Sequence, residues 1–417
     1  DEPRRALSLL ASAFHQPQPA QMVAITGTDG KTSTAEFTRQ LWELVGCPAL
    51  SIGTLGLKKA HILHDMPALS DNTTPEPVAF YHALSCASAQ GIQHAVCEAS
   101  SHGIEQYRLE GIAPRAAIFT SFSQDHLDYH HTMEEYFAAK SGLFDRLLVE
   151  SGVAILCSDY PQILSLAERL RAAGKDVVTY GKEADAIITS IIPTAEGQDI
   201  TLTYEEAEHS VTLPIFGEFQ VYNVIAAALA VSFTTNASFA EILTHFPRLT
   251  TIRGRLELVG KTHDGALIFV DYAHTSGALE KALQTLRPYA PHHLHVVFGC
   301  GGDRDVSKRP QMGTVAARLA DDVIVTDDNP RTEDAVSIRQ AIMAGCPDAA
   351  EIGDRAHAIR TAIATLQAGD VLLIAGKGHE DYQILGTTKH HFDDAEVVAE
   401  CLQQNKLLFQ NKKKPSD

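Results

Sequence analysis

Met22-Val23-Ala24-Ile25-Thr26-Gly27-Thr28-Asp29-Gly30-Lys31-Thr32-Ser33 is the stretch from which the fold reads outward. Met22–Thr26 is a short apolar run, the pattern of a buried strand. A glycine-containing loop follows, and then a helical pattern with Phe37, Leu41 and Leu44 on one face. Strand, loop and helix in that order make a phosphate cradle. Glycines let backbone N–H groups approach oxygens, and the helix N-terminus adds positive potential. Lys31 offers a point charge to phosphate, and Thr32 offers a hydroxyl to a divalent cation. Gly27, Thr28, Asp29, Gly30, Lys31, Thr32 and Ser33 are therefore the candidate nucleotide contacts. The spacing is shorter than the standard phosphate loop, so the competing reading is a tight turn with a surface lysine.

The same grammar recurs along the chain. His94–Cys97 ends in Glu98, and Arg115–Phe119 runs into a polar loop. Ala266–Val270 ends in Asp271, with a helical pattern over Leu279–Leu286. His293–Phe298 runs into Gly299-Cys300-Gly301-Gly302-Asp303-Arg304. Val323–Val325 precedes Asp327-Asp328-Asn329-Pro330-Arg331, and Val371–Ala375 precedes Gly376-Lys377-Gly378-His379-Glu380. Strands alternating with helices predict parallel α/β sheets, whose ligands sit beyond the C-terminal strand ends. The polar clusters fall at those ends. Ile187–Phe216 alternates instead and predicts antiparallel strands added to the first sheet.

At 417 residues the chain accommodates about two or three domains. A segment rich in Pro, Arg, Gly and Thr over 245–257 predicts a boundary near residue 250. The expected parts are a linker remnant (1–20), a first domain (21–250), a second (251–405) and a disordered tail (406–417). A net charge of −18 with 45% hydrophobic residues excludes a disordered chain and argues against nucleic-acid or anionic-membrane binding. No apolar run reaches the ~18 residues of a membrane span. Seven cysteines without a Cys-x-x-Cys pair predict reduced thiols in a cytoplasmic protein. The opening Asp1-Glu2-Pro3 lacks an initiator Met, the pattern of a processed or partial chain.

Several residues carry chemistry of their own. Glu98, at a strand end beside the cradle, can face phosphates and hold Mg²⁺, or merely cap a loop. Thr132 and Glu135 have capping-box spacing for a helix from Met133. Met133, Phe137, Lys140 and Phe144 then share one face. Lys140 either snorkels to water or is desolvated with a lowered pKa. In the second case the neutral amine could add CO₂ and become a carbamate, a carboxylate mimic. His126 could be an imidazole ligand. Asp328-Asn329-Pro330-Arg331 reads as a surface turn, or as a turn in which Arg331 clamps a carboxylate. Arg304 and Glu380 would add a carboxylate binder and an amine binder.

Gly27-Thr28-Asp29-Gly30-Lys31-Thr32, Glu98-Ala99-Ser100-Ser101-His102-Gly103, Asp125-His126-Leu127-Asp128-Tyr129-His130, Asp271-Tyr272-Ala273-His274 and Gly376-Lys377-Gly378-His379-Glu380 together resemble the Mur ligases. The resemblance is strongest to their diaminopimelate-adding MurE type and runs in order from about residue 20 to 400. It implies a central ATPase-like domain, mostly parallel with an antiparallel addition, and a C-terminal Rossmann-like domain. It implies an ATP-dependent amide ligase. The D-glutamate carboxylate of a UDP-muramoyl dipeptide would attack the γ-phosphate, and the amine of meso-diaminopimelate would displace phosphate from the acyl phosphate.

By the same resemblance, Lys31, Glu98, His126, Lys140 and Arg255 are the catalytic set. Thr32, Glu98, His126 and carbamylated Lys140 gather Mg²⁺. Asn223, Arg255 and Asp271 join the nucleotide contacts. Asn72, Thr73, Thr74, Ser100, Gln106 and Arg108 hold the muramoyl peptide. Arg304, Asp328, Asn329, Pro330, Arg331, Gly376 and Glu380 form the diaminopimelate pocket. Family members begin with a further domain that grips the uridine nucleotide, and this sequence starts after it. A monomer is expected, or one that works with that first domain as a separate piece. The alternatives are a ligase for a non-nucleotide acceptor, as in relatives of folylpolyglutamate synthase, and an inactive scaffold.

Overall fold

The computed structural model describes residues 2–59, 64–70 and 72–412, the side chains of 405–412 excepted. They form two compact units, one of Asp1–Ile192 with Glu196–Thr250 and one of Thr251–Asp417 with Pro193–Ala195.

The first unit is built on a ten-stranded sheet. Its strands are β1 (Gln21–Thr26), β2 (Ala49–Gly53), β3 (Gly56–Lys59), β4 (His94–Glu98), β5 (Pro114–Phe119), β6 (Val153–Cys157), β7 (Asp176–Gly181), β8 (Ala186–Thr194), β9 (Gly197–Tyr204) and β10 (Ala207–Leu213). Their order is β10-β9-β8-β7-β6-β5-β1-β4-β2-β3. Strands from β8 to β2 pair in parallel, and β3 and β10 pair antiparallel at the two edges. The alternating stretch thus supplies the antiparallel addition as expected, except that its first strand, β8, joins β7 in parallel through Ala186 and Ile187.

Strand β1 is buried from Met22 to Thr26, because a parallel strand is covered on both faces. The helix Lys31–Leu44 lies against the helix Glu218–Thr234, whose Ala226–Val231 run is wholly buried. The small alanines permit close approach, and the chain's single Trp, Trp42, donates its indole N–H to Thr234 Oγ1 at 3.0 Å.

Residues 3–14, expected as part of a linker, form a helix packed on this unit. Ser8 Oγ donates to Glu110 O at 3.0 Å, and Arg5 pairs with Glu110 at 3.1 Å. Three buried small residues, Ser8, Ala11 and Ser12, give the helix its contact face.

The second unit carries β11 (Glu257–Lys261), β12 (Leu267–Asp271), β13 (Leu294–Phe298), β14 (Asp322–Val325), β15 (Ala350–Glu351) and β16 (Val371–Ala375), in the order β11-β12-β16-β13-β14-β15. All pairs but β11–β12 are parallel. A separate hairpin, β17 (Tyr382–Leu385) and β18 (Thr388–His391), follows. The last helix runs Asp394–Lys412. It extends past residue 406, where a disordered tail was expected to begin, and 413–417 lie outside the described residues. No described helix is long and apolar enough to cross a membrane.

Candidate active site

The cradle between β1 and its helix is bent as its glycines require. Gly30 takes φ 88° and Gly27 φ 147°. A Cβ on Gly27 would fall 2.0 Å from Thr120 Oγ1, and one on Gly30 would fall 2.5 Å from Asn223 Oδ1. The loop is tied to the end of β5: Thr28 N–H donates to Ser121 O at 2.8 Å, and Asp29 N–H to Ser121 Oγ at 2.9 Å. Lys31 Nζ folds over the loop onto the carbonyls of Gly27 (2.9 Å) and Thr28 (2.8 Å). Asn223 is buried and braces this corner. It accepts from Thr34 Oγ1 at 3.2 Å and donates to Gln220 Oε1 at 2.9 Å.

Glu98 ends β4 and is buried. Its carboxylate accepts from Thr32 Oγ1 (3.0 Å), Thr54 N–H (2.8 Å) and Thr54 Oγ1 (3.2 Å). Thr32 and Glu98, each expected at a divalent cation, stand within hydrogen-bond reach of one another. Thr54 was missed, because the signal is a turn after β2, a strand not recognised as one.

Beyond Glu98 the peptide-binding candidates form one network. Thr74 Oγ1 donates to Glu98 O at 2.8 Å and lies 2.9 Å from Ser100 Oγ. Arg108 donates to Thr74 O and to Gln106 Oε1, both at 2.8 Å. Thr73 Oγ1 lies 3.0 Å from Thr54 Oγ1. Asn72 is exposed at the rim.

Lys140 does not snorkel. The helix Met133–Gly142 starts at Thr132, whose side chain accepts from Glu135 N–H at 3.1 Å. This buries Lys140 to 1% exposure. Its Nζ donates to Gly27 O at 2.7 Å and sits 4.4 Å from the centre of the Tyr136 ring. Burial, then the nearby Lys31 charge, holds its pKa well below the ordinary lysine value. Tyr136 itself, unremarked in the sequence, reaches Thr28 Oγ1 at 3.3 Å.

His126 stands at the surface with φ 52°. Its backbone N–H donates to Asp125 Oδ1 at 2.8 Å, and its ring meets His102 edge-on at 5.0 Å. Burial, then the His126 charge, lowers the pKa of His102. His130 is buried beside them, 5.2 Å from Tyr136 between ring centres.

In the second unit, Asp271 ends β12 and accepts from Leu256 N–H (2.7 Å) and Ala273 N–H (2.8 Å). Burial raises its pKa against those bonds and the Arg255 charge. Arg255 stacks on Tyr272 at 5.1 Å.

The loops after β13, β14 and β16 are stitched together. Asn329 donates to Glu380 Oε2 at 2.9 Å and accepts from Lys377 Nζ at 3.0 Å. Gly302 N–H donates to Asn329 O at 2.9 Å. Pro330 precedes Arg331, which takes φ 53° and donates Nη1 to Gly302 O at 2.7 Å. Gly376, at φ 114°, leaves room for buried Asp328: a Cβ would fall 2.8 Å from Asp328 Oδ2. Arg304 is exposed on the same loop as Gly302. Lys377 was quoted only as part of a motif, yet it is fully buried, and burial lowers its pKa.

Residues 25–231 match the Mur ligase middle domain and 254–378 the Mur ligase glutamate ligase domain. A relative from Bradyrhizobium diazoefficiens, named UDP-N-acetylmuramoyl-L-alanyl-D-glutamate–2,6-diaminopimelate ligase, is 46% identical over 96% of this chain and 82% of its own. A solved structure of a ligase with that name is 33% identical, with a TM-score of 0.73 over 97% of this chain and 83% of that one. Folylpolyglutamate synthase from Mycobacterium tuberculosis has a TM-score of 0.70 at 20% identity, covering 90% of this chain and 92% of that one. That last likeness is one of fold alone. The chain belongs to the Mur ligases, as an ATP-dependent ligase of peptidoglycan precursor synthesis and of the MurE type.

Proposed function

We propose that this ligase joins meso-diaminopimelate to the D-glutamate carboxyl of UDP-N-acetylmuramoyl-L-alanyl-D-glutamate, in the cytoplasm and as a monomer. The observation that carries the amino-acid choice is the Arg331 turn. Its guanidinium donates to Gly302 O at 2.7 Å, on the loop that carries Arg304, and the nearby Asn329 donates to Glu380 Oε2 at 2.9 Å. A guanidinium suits the second carboxylate of diaminopimelate, which lysine lacks. Glu380 suits the ammonium.

The first unit's residues suit the acyl-phosphate half of the reaction. Gly27–Ser33 would receive the phosphates of ATP. Thr32 and Glu98 offer a hydroxyl and a carboxylate 3.0 Å apart, the hard oxygen donors that Mg²⁺ takes. Bound there, Mg²⁺ would neutralise phosphate charge. His126 and a carbamylated Lys140 would complete the set. The lowered pKa of buried Lys140 supports the carbamate, since only a neutral amine adds CO₂. Thr73, Thr74, Ser100, Gln106 and Arg108, with Asn72, would orient the peptide carboxylate for attack. Arg255, Asp271 and Asn223 would serve the nucleotide. Positioning and charge neutralisation, rather than covalent help, are what phosphoryl transfer asks of a protein.

The test is incubation with ATP, Mg²⁺, the UDP-muramoyl dipeptide and meso-diaminopimelate, with lysine in a parallel arm. Mass spectrometry reads the product while ADP release is followed. Product with diaminopimelate alone is the expected result. Equal product with lysine would remove Arg331 from specificity.

A further inference from the structure

At the other end of the second unit's sheet, the N-terminal ends of β13 and β14 bring two imidazoles onto one carboxylate. His293 and His295 are two residues apart and share a face of the strand, as the period of two requires. Parallel register sets Asp322 directly opposite His295. Asp322 Oδ2 lies 2.9 Å from His293 Nδ1 and 3.3 Å from His295 Nδ1. The donor atoms of all three residues lie within 4.8 Å of one another. Ligand atoms around a tetrahedral Zn²⁺ at about 2.0–2.1 Å stand about 3.3 Å apart, so two of the three edges are already close to that size. His293 and Asp322 are exposed, and the exposed ring can turn to close the third.

A second observation concerns His295, which is buried. Its Nε2 lies 3.3 Å from Asp370 Oδ2. Asp370 already accepts from Gln367 N–H (2.7 Å) and His293 N–H (3.1 Å), so it is an acceptor and Nε2 is the donor. The other nitrogen, Nδ1, faces Asp322 Oδ2 at 3.3 Å, and in the neutral ring it carries the lone pair that a metal takes. Carboxylate behind, imidazole between and an electron pair in front is how metal-binding histidines are oriented. The neighbouring Asp321 is otherwise occupied, accepting from Leu294 N–H (2.7 Å) and Arg287 (2.8 Å). The three residues line the rim of a cavity of about 800 Å³, so water can complete the coordination.

We propose that His293, His295 and Asp322 form a site for a divalent transition metal of the Zn²⁺ or Co²⁺ kind, separate from the strand ends that carry Arg331 and Glu380. Two nitrogens and one oxygen select such ions over Mg²⁺, which takes oxygen ligands. The ion would fasten β13 to β14.

The experiment uses the full chain, stripped with chelator and returned to saturating Mg²⁺, and titrated with Co²⁺ and Zn²⁺. The expected result is one Co²⁺ per chain, with a d–d spectrum free of sulfur charge transfer. Zn²⁺ should raise the thermal midpoint. His293→Ala and Asp322→Asn, both exposed positions, should each weaken binding about 10–100-fold with circular dichroism unchanged. Absence of binding to the wild-type chain would overturn the proposal, leaving His295 as a hydrogen-bonding neighbour of Asp322 and Asp370 only. Binding that survives both substitutions, or a thiolate band, would overturn it too and place the ion on the cysteines.

Discussion

Lys140 Nζ lies 2.7 Å from the Gly27 carbonyl oxygen, the same oxygen that Lys31 Nζ reaches at 2.9 Å. Two ammonium groups converging on one carbonyl oppose each other. Lys140, the buried one, is the group whose pKa is held low. Lys140→Ala should therefore abolish ligation, and short carboxylic acids should restore part of it by standing in for a carbamate. ADP release measured across an acid series decides this. If no acid restores any turnover, Lys140 acts as a plain amine.

The same shift has a signature in stability. Folding lowers the Lys140 pKa from about 10.4 in the unfolded chain, so between the two values the unfolded state holds more protons. Stability then rises with pH in that window. In CO₂-free buffer the wild-type chain should gain on Lys140→Met as pH rises from about 7 toward 10. Urea midpoints of the pair are the measurement, and a gap that does not change with pH would contradict a buried, depressed amine.

Gly53 guards the Glu98 carboxylate. A Cβ there would lie 2.0 Å from Glu98 Oε1. Gly53→Ala should displace the carboxylate and raise the Mg²⁺ concentration needed for half-maximal ADP release by about 10–100-fold. An unchanged Mg²⁺ requirement would remove Glu98 from the metal.

Arg331→Ala should raise the KM for diaminopimelate by about 10–100-fold, the equivalent of about 1.5–3 kcal/mol for a hydrogen bond to a charged group, and leave the KM for ATP nearly unchanged. Steady-state kinetics with each substrate varied separates the two. A rise confined to ATP would argue for a different occupant of the loop.

Arg355 and Asp394 form a fully buried pair, with two bonds of 2.7 Å. Removing one partner strands a charge, so Arg355→Met should cost about 3–5 kcal/mol in urea unfolding. The double change Arg355→Met with Asp394→Leu should recover much of that. Additive losses in the double variant would show that the pair's other contacts, such as Arg355 to Ala375 O at 3.0 Å, dominate.

Much of the site was legible because its chemistry is local. The phosphate loop needs Gly27 and Gly30 at fixed places between a strand and a helix, and Thr132 with Glu135 marks a helix start by spacing alone. Thr54 and Tyr136 escaped because each acts through a partner distant in sequence, Glu98 and Thr28 respectively. The amphipathic pattern put Lys140 on an apolar face but left its head free to reach water. Only packing against Gly27 and Tyr136 closed that route.

By itself, the sequence determined the alternating α/β class, the strand-end location of the polar clusters and the family, since hydrophobic period and motif spacing are properties of neighbouring residues. Tertiary structure alone decided which groups meet. Strand order set Glu98 beside Thr32, and a parallel register set Asp322 opposite His295. Hydrogen bonding between strands joins residues without regard to their separation along the chain, and burial then fixes which of them keep their charge.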